Sequence, residues 1–270
     1  MCPYSQNTVN ELIEHQVGQK LQLQKLMIEC IQQGQALPES LAREHMVRGA
    51  GRRLGVLIHS IERIFSLFPL STTKPLHRDA LADIHANLHA FLMNLYGVFE
   101  NWGWAFVLRH DLEESVGGRT GSGLLNRRTQ KFLPPVLRDY LASGPVPEWH
   151  EKYLKNYRDA LAHRIPPYVP PSELTPEEGQ RFNELEAEKM DCLRNRDLDR
   201  LDRVNAEQAN IGRPSWTFLH AFSEVEPPRP LLLHGQLLTD SMGVIECGRL
   251  FVAHWHEVAI VAAVGNSTTS

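Results

Sequence analysis

An all-α architecture, a multi-helix bundle with a charged helical arm and one small β-hairpin, follows from three features of this sequence. Apolar residues recur every three or four positions through several long stretches. Most prolines fall between those stretches, and β-compatible runs are confined to two short segments near residue 220. Hydrophobic residues at 42% and charged residues at 22% exclude a disordered or fibrous chain. A length of 270 residues buries a sizeable core, so residues 1–270 read as a single helical domain with an appendage.

The first helix spans residues 8–33, where Val9, Leu12, Ile13, Val17, Leu21, Leu26, Met27 and Ile31 form one face. The second starts at Ser40 after Pro38 and runs through Leu54, Leu57, Ile61 and Ile64 to Pro69, with Gly51 and Gly55 as local weak points. The third, from Pro75 to about Asp111, carries Leu81, Ile84, Leu88, Phe91, Leu92, Leu95, Tyr96, Phe99, Trp102 and Phe106. It is apolar enough to be buried on more than one side, and its aromatics read as packing.

Residues 117–123, Gly-Gly-Arg-Thr-Gly-Ser-Gly, break the pattern and read as a flexible loop. They lack the lysine followed by Ser or Thr that a P-loop needs. From there to Arg138 the chain carries Arg119, Arg127, Arg128, Lys131 and Arg138 without an acidic residue, a local basic patch suited to an RNA backbone. Two helices follow, residues 130–142 with an interruption at Pro134-Pro135, and residues 147–163, which end before Pro166-Pro167. Residues 175–210 alternate in charge, as in Arg194-Asn195-Arg196-Asp197-Leu198-Asp199-Arg200, and read as an exposed helical arm or hairpin. Residues 216–222 and 230–233 are the two strand segments, separated by residues 224–228. A last helix, residues 237–264, packs on the central ones through Leu238, Met242, Ile245, Leu250 and Val252.

A net charge of -4 gives no global nucleic-acid signature, so a local patch would have to serve. Cys2, Cys30, Cys192 and Cys247 are widely spaced with no preceding signal peptide, which predicts reduced thiols and a cytoplasmic protein. The most apolar stretch, residues 250–264, is interrupted by His254, His256 and Glu257, so no membrane span is expected.

Candidate chemistry centres on Arg158 and His163. Arginine followed by histidine at this spacing is weak evidence, because 13 histidines in this chain should give roughly three matches by chance. Arg53 with His59, Arg78 with His85, Arg213 with His220, and Arg249 with His254 or His256 all fit. Arg158 is set apart by Asp159 directly after it, by the amphipathic run before it and by the prolines beyond His163. On an ideal helix, Arg158 and His163 point about 140° apart. They meet one substrate only where the helix is distorted or two subunits join. Asp159 and His163 share a face, so the carboxylate can orient the imidazole. The structural alternative is a histidine favoured by the helix C-terminus.

Glu100 and Asn101 interrupt an apolar helix. They either border the cleft of Arg158 and His163 or form an internal hydrogen-bonded pair. His85 and His89, near Asp83, have a spacing that can bind metal but read as solvated helix histidines. His254-Trp255-His256-Glu257 is not HExxH, no GxSxG occurs, and no metal or cofactor is expected.

The segment Arg158-Asp159-Ala160-Leu161-Ala162-His163 in its helical context resembles the HEPN superfamily (higher eukaryotes and prokaryotes nucleotide-binding). So does Asn94-Leu95-Tyr96-Gly97-Val98-Phe99-Glu100-Asn101-Trp102-Gly103-Trp104, which is similar to a core helix of uncharacterised bacterial HEPN-like proteins. The resemblance covers about residues 55–168, a core packed with helix 237–264. It implies a metal-independent endoribonuclease acting as a homodimer, with RNA as substrate, a toxin or defence role and an antitoxin protein as partner. In that chemistry a histidine moves the proton of a ribose 2′-hydroxyl or of the leaving oxygen, while arginine stabilises the phosphate's developing charge. Asp159 would support them. The alternative is a catalytically silent helical module that binds nucleic acid, a nucleotide or a protein.

Overall fold

A computed structural model describes residues 3–38, 40–220, 227 and 229–258. Helix α1 (Gln6–Gln35) begins where the Ser5 hydroxyl accepts from Thr8 N–H, a side-chain cap for an otherwise orphaned donor. Helices α2 (Leu41–Glu44) and α3 (Gly51–Leu67) are joined by a π-helical turn, His45–Ala50. The expected weak point at Gly51 and Gly55 therefore lies one turn earlier, where an i→i+5 pattern shifts the register of everything after it. Helix α4 (Arg78–Arg109) starts later than Pro75, because the His77 imidazole accepts from Asp79 N–H and caps the helix there.

Helix α4 is the axis of the bundle. Ile84, Leu88, Phe91, Leu95, Phe99, Trp102 and Phe106 on it are fully or almost fully buried. It packs against α3 along most of its length, against the first π turn, and against α8 and α11, while α1 lies on α3 and α11. Each buried Leu or Phe removed from water stabilises by about 1.5–3 kcal/mol, so this helix cannot leave the core without unfolding it.

The predicted helix 130–142 is two, α5 (Arg127–Gln130) and α6 (Pro135–Ala142), because a helix cannot run through Pro134 into Pro135. The predicted helix 147–163 comprises α7 (Val146–Trp149), a second π turn (His150–Leu154) and α8 (Lys155–His163). After α8, the N–H of Val169 donates to His85 Nε2 at 2.9 Å, and His89 Nε2 lies 2.7 Å from the Pro167 carbonyl oxygen. The two histidines are thus half-buried anchors for the segment that follows α8, not solvated side chains.

Helices α9 (Pro176–Asn195) and α10 (Leu198–Gln208) form the charged hairpin. A capping box between Thr175 and Glu178 starts the first, and Asp197 caps the second. Leu185, Cys192 and Val204 make a small cluster of their own. Arg181–Glu207 at 2.6 Å and Arg200–Glu188 at 2.9 Å tie the helices across the solvent side. Strands β1 (Thr217–His220) and β2 (Arg229–Leu232) pair antiparallel in the register Thr217↔Leu232 and His220↔Arg229, and Tyr168 bridges to Leu219. Most of the connection at 224–228 lies outside the described residues. So does the end of the last helix beyond 258, whose described part is α11 (Leu233–His254). Among the described residues no helix is long and apolar enough to cross a membrane, and Cys30, Cys192 and Cys247 are free and buried.

Three buried titratable groups oppose one another. Burial pushes His220 and His234 down to about 4, and lifts the Asp240 carboxyl to about 7. Between pH 4 and 6.5 the unfolded chain holds protons on both histidines that the folded one does not, so stability falls on acidification. In the same window only the folded chain keeps the Asp240 proton, which offsets one of the two slopes. Asp240→Asn should therefore steepen the loss of stability from pH 6.5 to 4 by up to ~1.4 kcal/mol per pH unit, measured as the urea midpoint against pH.

Candidate functional site

The partly exposed face of α4 carries Asn94, Gly97 and Asn101 toward α3, and Tyr96 and Glu100 toward α8. Arg53, near the start of α3, donates from Nε to Asn101 Oδ1 at 2.7 Å and from Nη1 to Asn94 Oδ1 at 3.1 Å. Asn101 Nδ2 in turn donates to His45 Nδ1 at 3.0 Å, and the His45 ring stacks on Trp104. Glycines lie beneath this cluster: a Cβ at Gly97 would displace the Arg53 guanidinium, and one at Gly49 would meet the Asn101 amide at 2.5 Å.

On the other side of the same face stands Arg158, half-buried, with its guanidinium carbon 4.7 Å from the centre of the Tyr96 ring. That distance is within cation–π range. Asp159 Oδ1 lies 2.8 Å from Arg158 Nε, but the N–H is not aimed at it, so the pair is electrostatic and the buried Nε–H has no acceptor. Glu100 lies between the two arginines and within electrostatic reach of both. Burial raises its carboxyl, while a hydrogen bond from Tyr96 and the charges of Arg158 and Arg53 oppose that rise. Burial and the neighbouring Glu100 push Tyr96 up to about 12. Its hydroxyl stays a neutral donor to Glu100.

His163 is exposed at the last position of α8. The residues from Lys155 onward are regular α-helix, and the π turn ends at Leu154. The distortion that could bring Arg158 and His163 onto one face is therefore in the wrong place, and the two project about 140° apart. Asp159 is spent on Arg158 rather than on His163, because the adjacent guanidinium is a full cation at closer range. The anchored segment at Pro167 and Val169 fixes where α8 stops and hence where His163 emerges.

Glu100 and Asn101 are not an internal pair: Asn101 serves Arg53 and His45, and Glu100 serves Tyr96. The glycine-rich segment is not a free loop. Leu124 is wholly buried, Thr129 Oγ1 donates to the Gly121 carbonyl at 2.6 Å, and Ser122 Oγ to that of Gly118 at 3.0 Å. The backbone of residues 123–124 lies directly on Gly103 of α4, and Gly123 lies against the Glu100 carboxylate. Arg119, Arg127, Arg128 and Lys131 project into solvent beyond it, while Arg138 is half-buried and paired with Asp139.

Sequence reasoning missed Arg53, Asn94, Tyr96, His45 and His150. Burial lowers the His150 pKa, and the charge of Arg158 adds to the effect. The signal available was the spacing Asn94, Gly97, Asn101, which puts two amides and a glycine on one helical face. Among the described residues no group of three or more His, Cys, Asp or Glu side chains could hold a metal ion.

Gly103→Ala, which in an unobstructed helix gains up to ~1 kcal/mol, should here destabilise by about 1–3 kcal/mol, the usual cost of overpacking, because its Cβ would run into the backbone of residues 123–124. Gly179→Ala, where a Cβ meets nothing within 4 Å, should stabilise. Urea denaturation of the two variants checks both signs.

No known protein family, curated protein or solved structure matches this chain.

Proposed function

We propose that the chain is a metal-independent endoribonuclease of HEPN type, and that Arg158 and His163 act on RNA in a cleft completed by a second copy of the chain. One observation carries the reading. Arg158 makes no hydrogen bond among the described residues, although it is half-buried and held in place by the Tyr96 ring and Asp159. A guanidinium that is positioned but unsatisfied is suited to accept a phosphate, whose oxygens match its planar donors.

Among the described residues His163 makes no hydrogen bond or ion pair, so its exposed imidazole supplies a proton-transfer group. Their divergence on one helix is why the reading requires two chains: Arg158 of one protomer would work beside the imidazole of the other. The solvent-facing Arg119, Arg127, Arg128 and Lys131 would hold the RNA backbone. A toxin or defence role, with an antitoxin partner, belongs to the same proposal.

A second reading has its own observation. Glu100 and Asp159 both stand beside Arg158 and weaken its field toward an anion, which suits a catalytically silent helical module that binds nucleic acid, a nucleotide or a protein.

Incubation of the full chain with RNA in excess chelator separates the two. Cleavage should occur and fall about 10²–10³-fold in His163→Ala and in Arg158→Ala. Mixing the two inactive variants should restore part of the activity through mixed dimers. Absence of cleavage by the unaltered chain, or its survival in both variants, removes the nuclease reading and leaves the binding module.

A further inference from the structure

Away from α4's polar face, α1, the α6–α7 region and α11 line an open pocket of about 520 Å³. This lies within the size range of small-molecule sites. Its walls are mainly apolar, with Leu12, Val146, Trp149, Leu238 and Met242 among them. The Trp149 ring is fixed as a wall: its Nε1–H donates to Asp240 Oδ1 at 2.8 Å, Phe99 packs on it edge to face, and Gly243 lets the α11 backbone come close to it.

One feature says what the pocket would take. Among the described residues Glu246 is the charged residue of the lining, joined at the rim by His15, and no Lys or Arg contributes. Tyr140 donates to one Glu246 oxygen at 3.0 Å and leaves the other available. A carboxylate beside an indole in an apolar lining favours a cation with an apolar body.

We propose that this pocket binds a small organic amine, with its apolar body against Trp149, Leu238 and Met242 and its ammonium directed to Glu246. The site is separate from Arg158 and does not depend on the ribonuclease reading.

The test uses 4-phenylbutylamine and, as its charge-reversed partner, 4-phenylbutyrate, titrated into the full chain and followed by the indole N–H resonance of Trp149. The amine should bind saturably with Kd on the order of 0.1–1 mM, the range for about a dozen heavy atoms, and the carboxylate at least about tenfold more weakly. Glu246→Gln should weaken the amine by about three- to fivefold and bring its affinity close to that of the carboxylate. Gly235→Leu should abolish binding, because a Cβ there meets nothing within 4 Å and the larger side chain fills the pocket without a clash at its base. Its thermal unfolding confirms that the fold is kept. No saturable binding, equal binding of amine and carboxylate, or binding unchanged in either variant overturns the proposal.

Discussion

Burial of α4 is the constraint from which the rest of the architecture follows. Its 32 residues present Leu88, Phe91, Leu95, Phe99, Trp102 and Phe106 to neighbours on more than one side, and one partner helix can cover only part of such a surface. Helix α3 covers one flank, α11 and α8 others, and the backbone of residues 123–124 closes directly on Gly103, where no side chain could be accommodated. Segments with little periodicity of their own are thereby fixed in place. The segment after α8 is held by His85 and His89, and β1 is held by that segment through Tyr168.

The uncovered face of α4 has a different problem, since it brings charges into partial burial. A half-buried guanidinium without partners is costly, and hydrogen bonds to it are worth more than those to neutral groups. Arg53 and Arg158 solve this in opposite ways. Arg53 is bound by two amide oxygens and seated over a glycine, so much of its donor capacity is already used by the protein. Arg158 rests on an aromatic face beside a carboxylate and keeps its hydrogen-bonding capacity. The two look alike in sequence, each followed by a histidine five or six residues later. Only their surroundings distinguish a structural arginine from one available to a ligand.

Both arginines follow a π turn, Arg53 after His45–Ala50 and Arg158 after His150–Leu154. An inserted residue rotates the next helix relative to the last, which is how α3 and α8 come to aim these side chains at opposite edges of the same α4 face. Nothing in the local sequence announces either turn. Gly51 and Gly55 pointed to the right region of the first, but propensity has no term for an i→i+5 bond. The pairing of Asp159 with Arg158 rather than with His163 was illegible for a related reason: helical spacing says which residues can meet, not which of two neighbours wins the contact.

Periodicity and prolines by themselves determined the helical class, the α4 stripe, the charged hairpin at 175–210 and the two short strands, because each depends on the chain's local pattern of apolar residues and breakers. Asp159 directly after Arg158, together with the prolines beyond His163, set that pair apart as residues to locate. What only the tertiary structure decided is that Tyr96, Glu100 and Arg53 surround the site, and that a carboxyl on α11 is buried behind Trp149. These are contacts between residues 40 or more positions apart. They arise from how helix surfaces fit together, and no window of the sequence contains both sides of such a fit.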